Sequence, residues 1–179
     1  GLIGIFETRI LGPDGHLKLF FDDDWNCSYD IFSYGHDIEA SWLLHESALV
    51  LGEEESLAKV ESRLPSVVAA ATEGFTPEGG MIYEKMGDHI DGDRHWWVQA
   101  EAAVGYFNLW EHFGAHEGLE NAVHCWEYIK KELVDEKNGE WFWSVRADGS
   151  INRVEDKAGF WKCPYHNGRM CLEIIERVK

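Results

Sequence analysis

Ser33-Tyr34-Gly35-His36-Asp37-Ile38-Glu39-Ala40-Ser41-Trp42 reads as a turn residue feeding a helix whose first turn carries a histidine and, one turn on, a glutamate. Positions i and i+3 share a helix face, so His36 and Glu39 point together beyond the helix start, with Trp42 on the same stripe. Ile38, Trp42, Leu43, Leu49 and Val50 continue the helical spacing, and Gly52 ends it, which predicts a helix over 36–51. Two later stretches repeat the design in part: His95-Trp96-Trp97-Val98-Gln99-Ala100-Glu101 and Tyr165-His166-Asn167-Gly168-Arg169. They open expected helices over 95–113, stopped by Gly114, and 165–178.

Between these helix starts the pattern recurs. Further helices are expected over 1–11, 56–73, with Pro65 kinking it, and 119–133. Asp14-Gly15, Gly79-Gly80, Asn138-Gly139 and Asp148-Gly149 are turn signals. They flank expected strands at 16–22, 81–84 and 140–145. Turn glycines at 15, 79 and 139 are 64 and 60 apart, and Gly52 and Gly114 are 62 apart. Glu39, Glu101 and Arg169 are separated by 62 and 68. A near-constant step with helix pairs as the unit signals stacked helical hairpins, an open solenoid or a closed toroid. In a toroid the inner helices start at one end, so His36, Glu39, Trp97, Glu101, His166 and Arg169 collect at one mouth.

The chain has 179 residues, enough for one domain with a core. Its 33 acidic against 16 basic residues leave a net charge of −17, which repels phosphate backbones and argues against nucleic-acid partners. No apolar run reaches the roughly 18 residues of a membrane span. Cys27, Cys125, Cys163 and Cys171 lack metal-type spacing and read as free thiols of a cytoplasmic protein. No signal-peptide pattern opens the chain, and it begins at Gly1 without methionine, so a fragment of something longer is expected. Nine tryptophans make a large core, and those near turns suit the flat apolar faces of sugar rings. His16, His45, His112, His116 and His124 read as surface or capping groups, and Asp22-Asp23-Asp24 as a solvated loop.

The three helix-start blocks, in order and at these separations, resemble the cellobiose 2-epimerases of the N-acylglucosamine 2-epimerase superfamily, across nearly the whole chain. The resemblance implies an all-α (α/α)6 toroid, with residues 1–179 as a single domain forming its C-terminal half and short β-hairpins between helix pairs. It implies that His36 and His166 are paired acid/base residues and that Glu39 partners the first of them. It gives Trp97 and Glu101 sugar-binding roles, Trp97 by stacking on the distal sugar ring with Trp96 beside it in the binding set, and lines the same pocket with Trp42 and Arg169. The family draws further pocket residues from its N-terminal half, which leaves self-association or a missing half as partners beside a disaccharide substrate.

The chemistry suits histidine. The aldehyde of an open-chain aldose acidifies the C2 hydrogen; one base removes it, giving an enediolate, and a second returns a proton to the opposite face. An imidazole titrating near pH 6.5 can do either, and neither a metal nor an organic cofactor is required. Glu39 could fix the tautomer of His36. Rival readings are an N-acylglucosamine 2-epimerase or aldose–ketose isomerase, a toroidal glycoside hydrolase using Glu39 and Glu101, and a sugar-binding module without catalysis.

Overall fold

Residues 1–179 are described by a computed structural model. Helix α1 (Leu2–Ile5) runs on as a π-turn through Phe6–Ile10. Strand β1 (Ile31–Ser33) leads straight into α2 (Tyr34–Leu51), which turns back into α3 (Glu54–Thr72). Strands β2 (Glu84–Met86), β3 (His89–Asp91) and β4 (Arg94–His95) precede α4 (Trp96–Phe113). Helix α5 (His116–Tyr128) ends in a second π-turn, Ile129–Leu133, followed by β5 (Ser144–Val145) and α6 (Tyr165–Arg177). β1, β2 and β3 form an antiparallel sheet with Phe32 opposite Lys85 and Lys85 opposite Ile90. β4 pairs antiparallel with β5, Arg94 opposite Val145. No helix is long and apolar enough to cross a membrane.

α2, α4 and α6 form the inner row, with α4 packed between the other two and α3 and α5 backing α2 and α4. Position decides helix character. α4 is buried without interruption from Trp96 to Asn108, as a helix enclosed on all sides must be. α3 and α5 bury one stripe each, Val60, Leu64, Val67, Val68 and Ala71 in the first, Ala122, Cys125 and Tyr128 in the second. α2 and α4 cross closely at Gly105, where a Cβ would lie 2.6 Å from Ile38 Cγ1 and 3.0 Å from the Ile38 carbonyl oxygen. Both helices end at left-handed glycines, Gly52 and Gly114, whose N–H groups return to Ala48 and Trp110.

The repeat survives at the level of single hydrogen bonds. Tight hairpins join Leu11 to Leu17, Phe75 to Met81 and Val134 to Trp141, each through one isolated bridge. Gly15, Gly79 and Gly139 supply a positive φ in each. Gly12, Thr76 and Asp135 donate across the turns to the carbonyls of His16, Gly80 and Glu140, at 2.8, 2.8 and 2.9 Å. The molecule is an arc of helical hairpins, half of an (α/α)6 toroid.

Several boundaries differ from the sequence expectation. The strand expected over 16–22 is only two isolated bridges, at Leu17 and Phe21, because Phe20 adopts a left-handed φ of 60° that breaks the extended run. In the 81–84 segment Met81 makes one bridge and the ladder begins only at Glu84. Within 140–145 only Ser144–Val145 is strand. α5 starts three residues before expectation and includes Gly118, which meets α4 so closely that a Cβ there would lie 2.7 Å from the Tyr106 carbonyl oxygen. α3 runs unbroken through Pro65. Two histidines expected at the surface are buried: His45 between α2 and α4 beside Asn108, and His16 against Asp37.

Candidate active site

β1 and β4 end on the first residues of α2 and α4, so the ladders set where both helices begin. With α6 starting at the same end, the arc carries its candidate site at these three N-termini. Gly35 makes room there: a Cβ at that position would lie 2.5 Å from the Trp97 ring, so only glycine lets Trp97 of α4 lie over the start of α2.

Trp97 joins the two histidines. Its ring centroid is 4.9 Å from that of His36 and 5.5 Å from that of His166. His166 Nδ1 is 2.7 Å from Glu101 Oε1. A carboxylate only accepts, so Nδ1 carries the hydrogen and, in the neutral ring, Nε2 is the free base. Glu101 is almost fully buried, at 1 % exposure, and receives two further bonds: Trp42 Nε1 at 3.0 Å and Arg169 Nη2 at 2.7 Å. The same Nη2 donates to Glu39 Oε1 at 2.6 Å, and Nη1 donates to the Tyr165 hydroxyl at 2.5 Å. The Arg169 guanidinium lies over Trp42, 4.9 Å from its ring centroid, which spreads the cation across an aromatic face.

His36 has a different environment. Its Nδ1 is 2.7 Å from Ser33 Oγ. The side chain is exposed to the open mouth, yet the atoms crowded about it desolvate the ring and hold its pKa below the usual 6.5, against the pull of Glu39 and Asp37. The carboxylate expected to orient His36 is therefore engaged elsewhere. Glu39 pairs with Arg169, which reaches it from α6, and Ser33 holds the imidazole instead. Glu39, Glu101 and His166 bring potential ligand atoms within 4.8 Å of one another, but Arg169 Nη2 already supplies a positive charge between the two carboxylates.

Trp96 is set back from the mouth. It is 3 % exposed, packs on Trp143 with centroids 4.5 Å apart, and lies under the buried Lys162 ammonium at 5.3 Å. His95 stacks on Tyr83 at 4.1 Å, and burial lowers its pKa. Ser33, Tyr83 and Tyr165 join the site without having been assigned a role from sequence. Ser33 and Tyr165 stood inside the quoted blocks, so their place at helix starts was the available signal; Tyr83, outside them, offered none.

This constellation on a helical-hairpin arc has relatives. The family model described as N-acylglucosamine 2-epimerase (GlcNAc 2-epimerase) matches residues 4–168. The chain belongs to the N-acylglucosamine 2-epimerase family. It is 60 % identical over 177 residues to the cellobiose 2-epimerase of Bacteroides fragilis, covering 97 % of this chain and 45 % of that protein. Among solved structures it is similar to a sugar epimerase from a ruminal bacterium, with a TM-score of 0.94 and 39 % identity over 98 % of this chain and 46 % of that one. The cellobiose 2-epimerase of Bacillus thermoamylovorans matches with a TM-score of 0.91 and 38 % identity over 98 % and 45 %. The chain thus spans about half the length of the relatives it matches.

Proposed function

We propose that this segment, within a complete barrel, inverts C2 of the reducing-end glucose of a β-1,4-linked disaccharide, interconverting cellobiose and glucosyl-mannose. The observation that carries the reading is two imidazoles flanking one tryptophan ring, each with Nδ1 engaged by a protein oxygen. His36 and His166 act as the two bases, one on each face of the enediolate. Nε2 of His166 is the proton-accepting atom in the neutral ring, with Glu101 supporting the imidazolium that forms. Trp97 supplies an aromatic surface for the sugar, and Arg169 with Glu39 and Trp42 frames the pocket. The names of the relatives support disaccharide 2-epimerisation over the hydrolytic and binding-only readings.

The proton's route tests it. A complete barrel carrying this segment, given cellobiose in D2O, should yield a mannose-ended disaccharide with deuterium at C2. A product whose C2 keeps its original hydrogen, or release of free glucose, would end the proposal.

A further inference from the structure

The proposed proton transfer leaves one recurring feature of the fold unused. In every repeat a buried polar side chain in the first turn of the inner helix reaches back to the hairpin behind it. Asp37 and Gln99 are each the fourth residue of their helix, and Asn167 is the third of α6. Asp37 Oδ1 accepts from the Leu17 N–H at 2.8 Å, and Oδ2 is 2.7 Å from His16 Nδ1. Gln99 Oε1 accepts from the Met81 N–H at 2.7 Å, while Nε2 donates to the carbonyls of Met81 and His95 at 2.8 and 3.1 Å. Leu17 and Met81 are equivalent, each two residues past the turn glycine. Asn167, one methylene shorter than Gln99, donates Nδ2 to Glu140 Oε1 at 3.0 Å. Glu140 also accepts from the buried Lys162 Nζ at 2.7 Å, and it stands on the third hairpin. The three residues are 0, 0 and 7 % exposed.

Three chemically different side chains thus tie the first turn of the inner helix to its hairpin, Asp37 and Gln99 at the backbone N–H two residues past the turn glycine and Asn167 through the Glu140 side chain. Each also adjoins the mouth: Asp37 follows His36, Gln99 lies between Trp97 and Glu101, and Asn167 follows His166. Buried polar contacts of this kind specify one geometry more than they add stability.

We propose that Asp37, Gln99 and Asn167 are positioning residues, one per repeat, which lock the first turn of each inner helix to its hairpin and so set His36, Glu101 and His166 at the mouth. The consequence for catalysis rests on the epimerase reading, whereas the positioning itself does not. Asp37→Asn and Asp37→Ala remove the same charge, but only asparagine retains an acceptor for the Leu17 N–H. Their difference therefore reports the latch and not the electrostatics.

The test uses the 179-residue chain uniformly labelled with 15N, after circular dichroism and a thermal melt establish folding. The ring-nitrogen shifts of His36 should indicate one tautomer in wild type and in Asp37→Asn. In Asp37→Ala they should move toward the mixture of a free imidazole, and the Leu17 amide should exchange about tenfold faster or more. Gln99→Ala should accelerate Met81 amide exchange similarly, and Asn167→Ala should shift the His166 ring nitrogens. If Asp37→Ala does not fold, these last two variants decide alone. Ring shifts and exchange rates unchanged in folded variants would overturn the proposal. Moved ring shifts in a protein whose complete barrel fails the D2O experiment would retain the latch and discard the epimerase reading. In an active barrel the latch variants should lower kcat with little change in KM, and Asp37→Asn should restore most of it.

Discussion

Glu101 carries more of the site than any other single side chain. It is a buried carboxylate on α4 with three donors from two neighbouring helices, Trp42 on α2 and His166 and Arg169 on α6. Glu101→Ala leaves those donors facing a gap, and breaking a buried pair costs about 3–5 kcal/mol. Glu39→Ala should cost less, since its side chain is 18 % exposed and water can replace it; urea unfolding of both variants checks the order. His36→Ala and His166→Ala, in a complete barrel, should each reduce epimerisation by about 100-fold or more. The double variant should lose less than the product, because the bases serve one reaction. Trp97→Ala should weaken binding of cellobiose more than of glucose if the ring supports the distal sugar; calorimetry with both separates the cases. Titration has opposite signs at two histidines. Desolvation lowers the pKa of His36, so its neutral form persists below pH 6.5 and an NMR titration should place its midpoint there. Burial works to lower the pKa of His16, but Asp37, with Glu73 and Asp14 beyond, outweighs it and raises it. The His16 contribution to stability is therefore full below pH 6.5 and is lost as pH rises through its raised value. Unfolding free energies measured across that window should fall, and His16→Phe should flatten the fall.

At the scale of elements, small residues set the spacing of the inner row. Gly105 admits Ile38 where a methyl group would collide with both its side chain and its carbonyl. Gly105→Ala should therefore destabilise the chain by about 1–3 kcal/mol, the usual cost of overpacking, despite the better helix propensity of alanine. Gly35→Ala should instead act on the site, displacing the Trp97 ring. Its signature would be altered His36 and Trp97 resonances with a melting temperature that falls less than that of Gly105→Ala.

The whole molecule leaves two apolar flanks uncovered. One is a groove of about 430 Å³ lined by Phe107 of α4, Trp126 of α5 and Met170 and Ile174 of α6. The other lies along α1 and α2, where Ile3, Phe6 and Leu43 meet the mouth at His36 and Glu39. An arc with such flanks should associate with itself at high concentration, and sedimentation over a concentration series will measure that. It should also be a poor catalyst alone. Turnover of cellobiose by the 179 residues comparable to that of a complete epimerase would contradict the view that the pocket needs the rest of the ring.

The sequence by itself determined the period, the helix pairs and the family. Turn glycines, helix stops and three helix-start blocks are local signals, and a step of about 62 residues makes them visible without contacts. It also brought His36, Glu39, Glu101, His166 and Arg169 to one mouth, because equivalent positions of a repeat must face the same way. Only the tertiary structure decided who bonds to whom. Glu39 was assigned to His36 as its neighbour on the helix, yet Arg169, 130 residues on, takes it, and Ser33 takes His36. Trp96 and Trp97 are adjacent in the chain, yet a turn of 100° per residue sends one under Lys162 and the other between the histidines. His16 and His45 look like surface polar residues until Asp37 and Asn108 arrive from distant segments. Partner choice among charged groups depends on separations of a few ångströms across elements, which one-dimensional spacing does not encode.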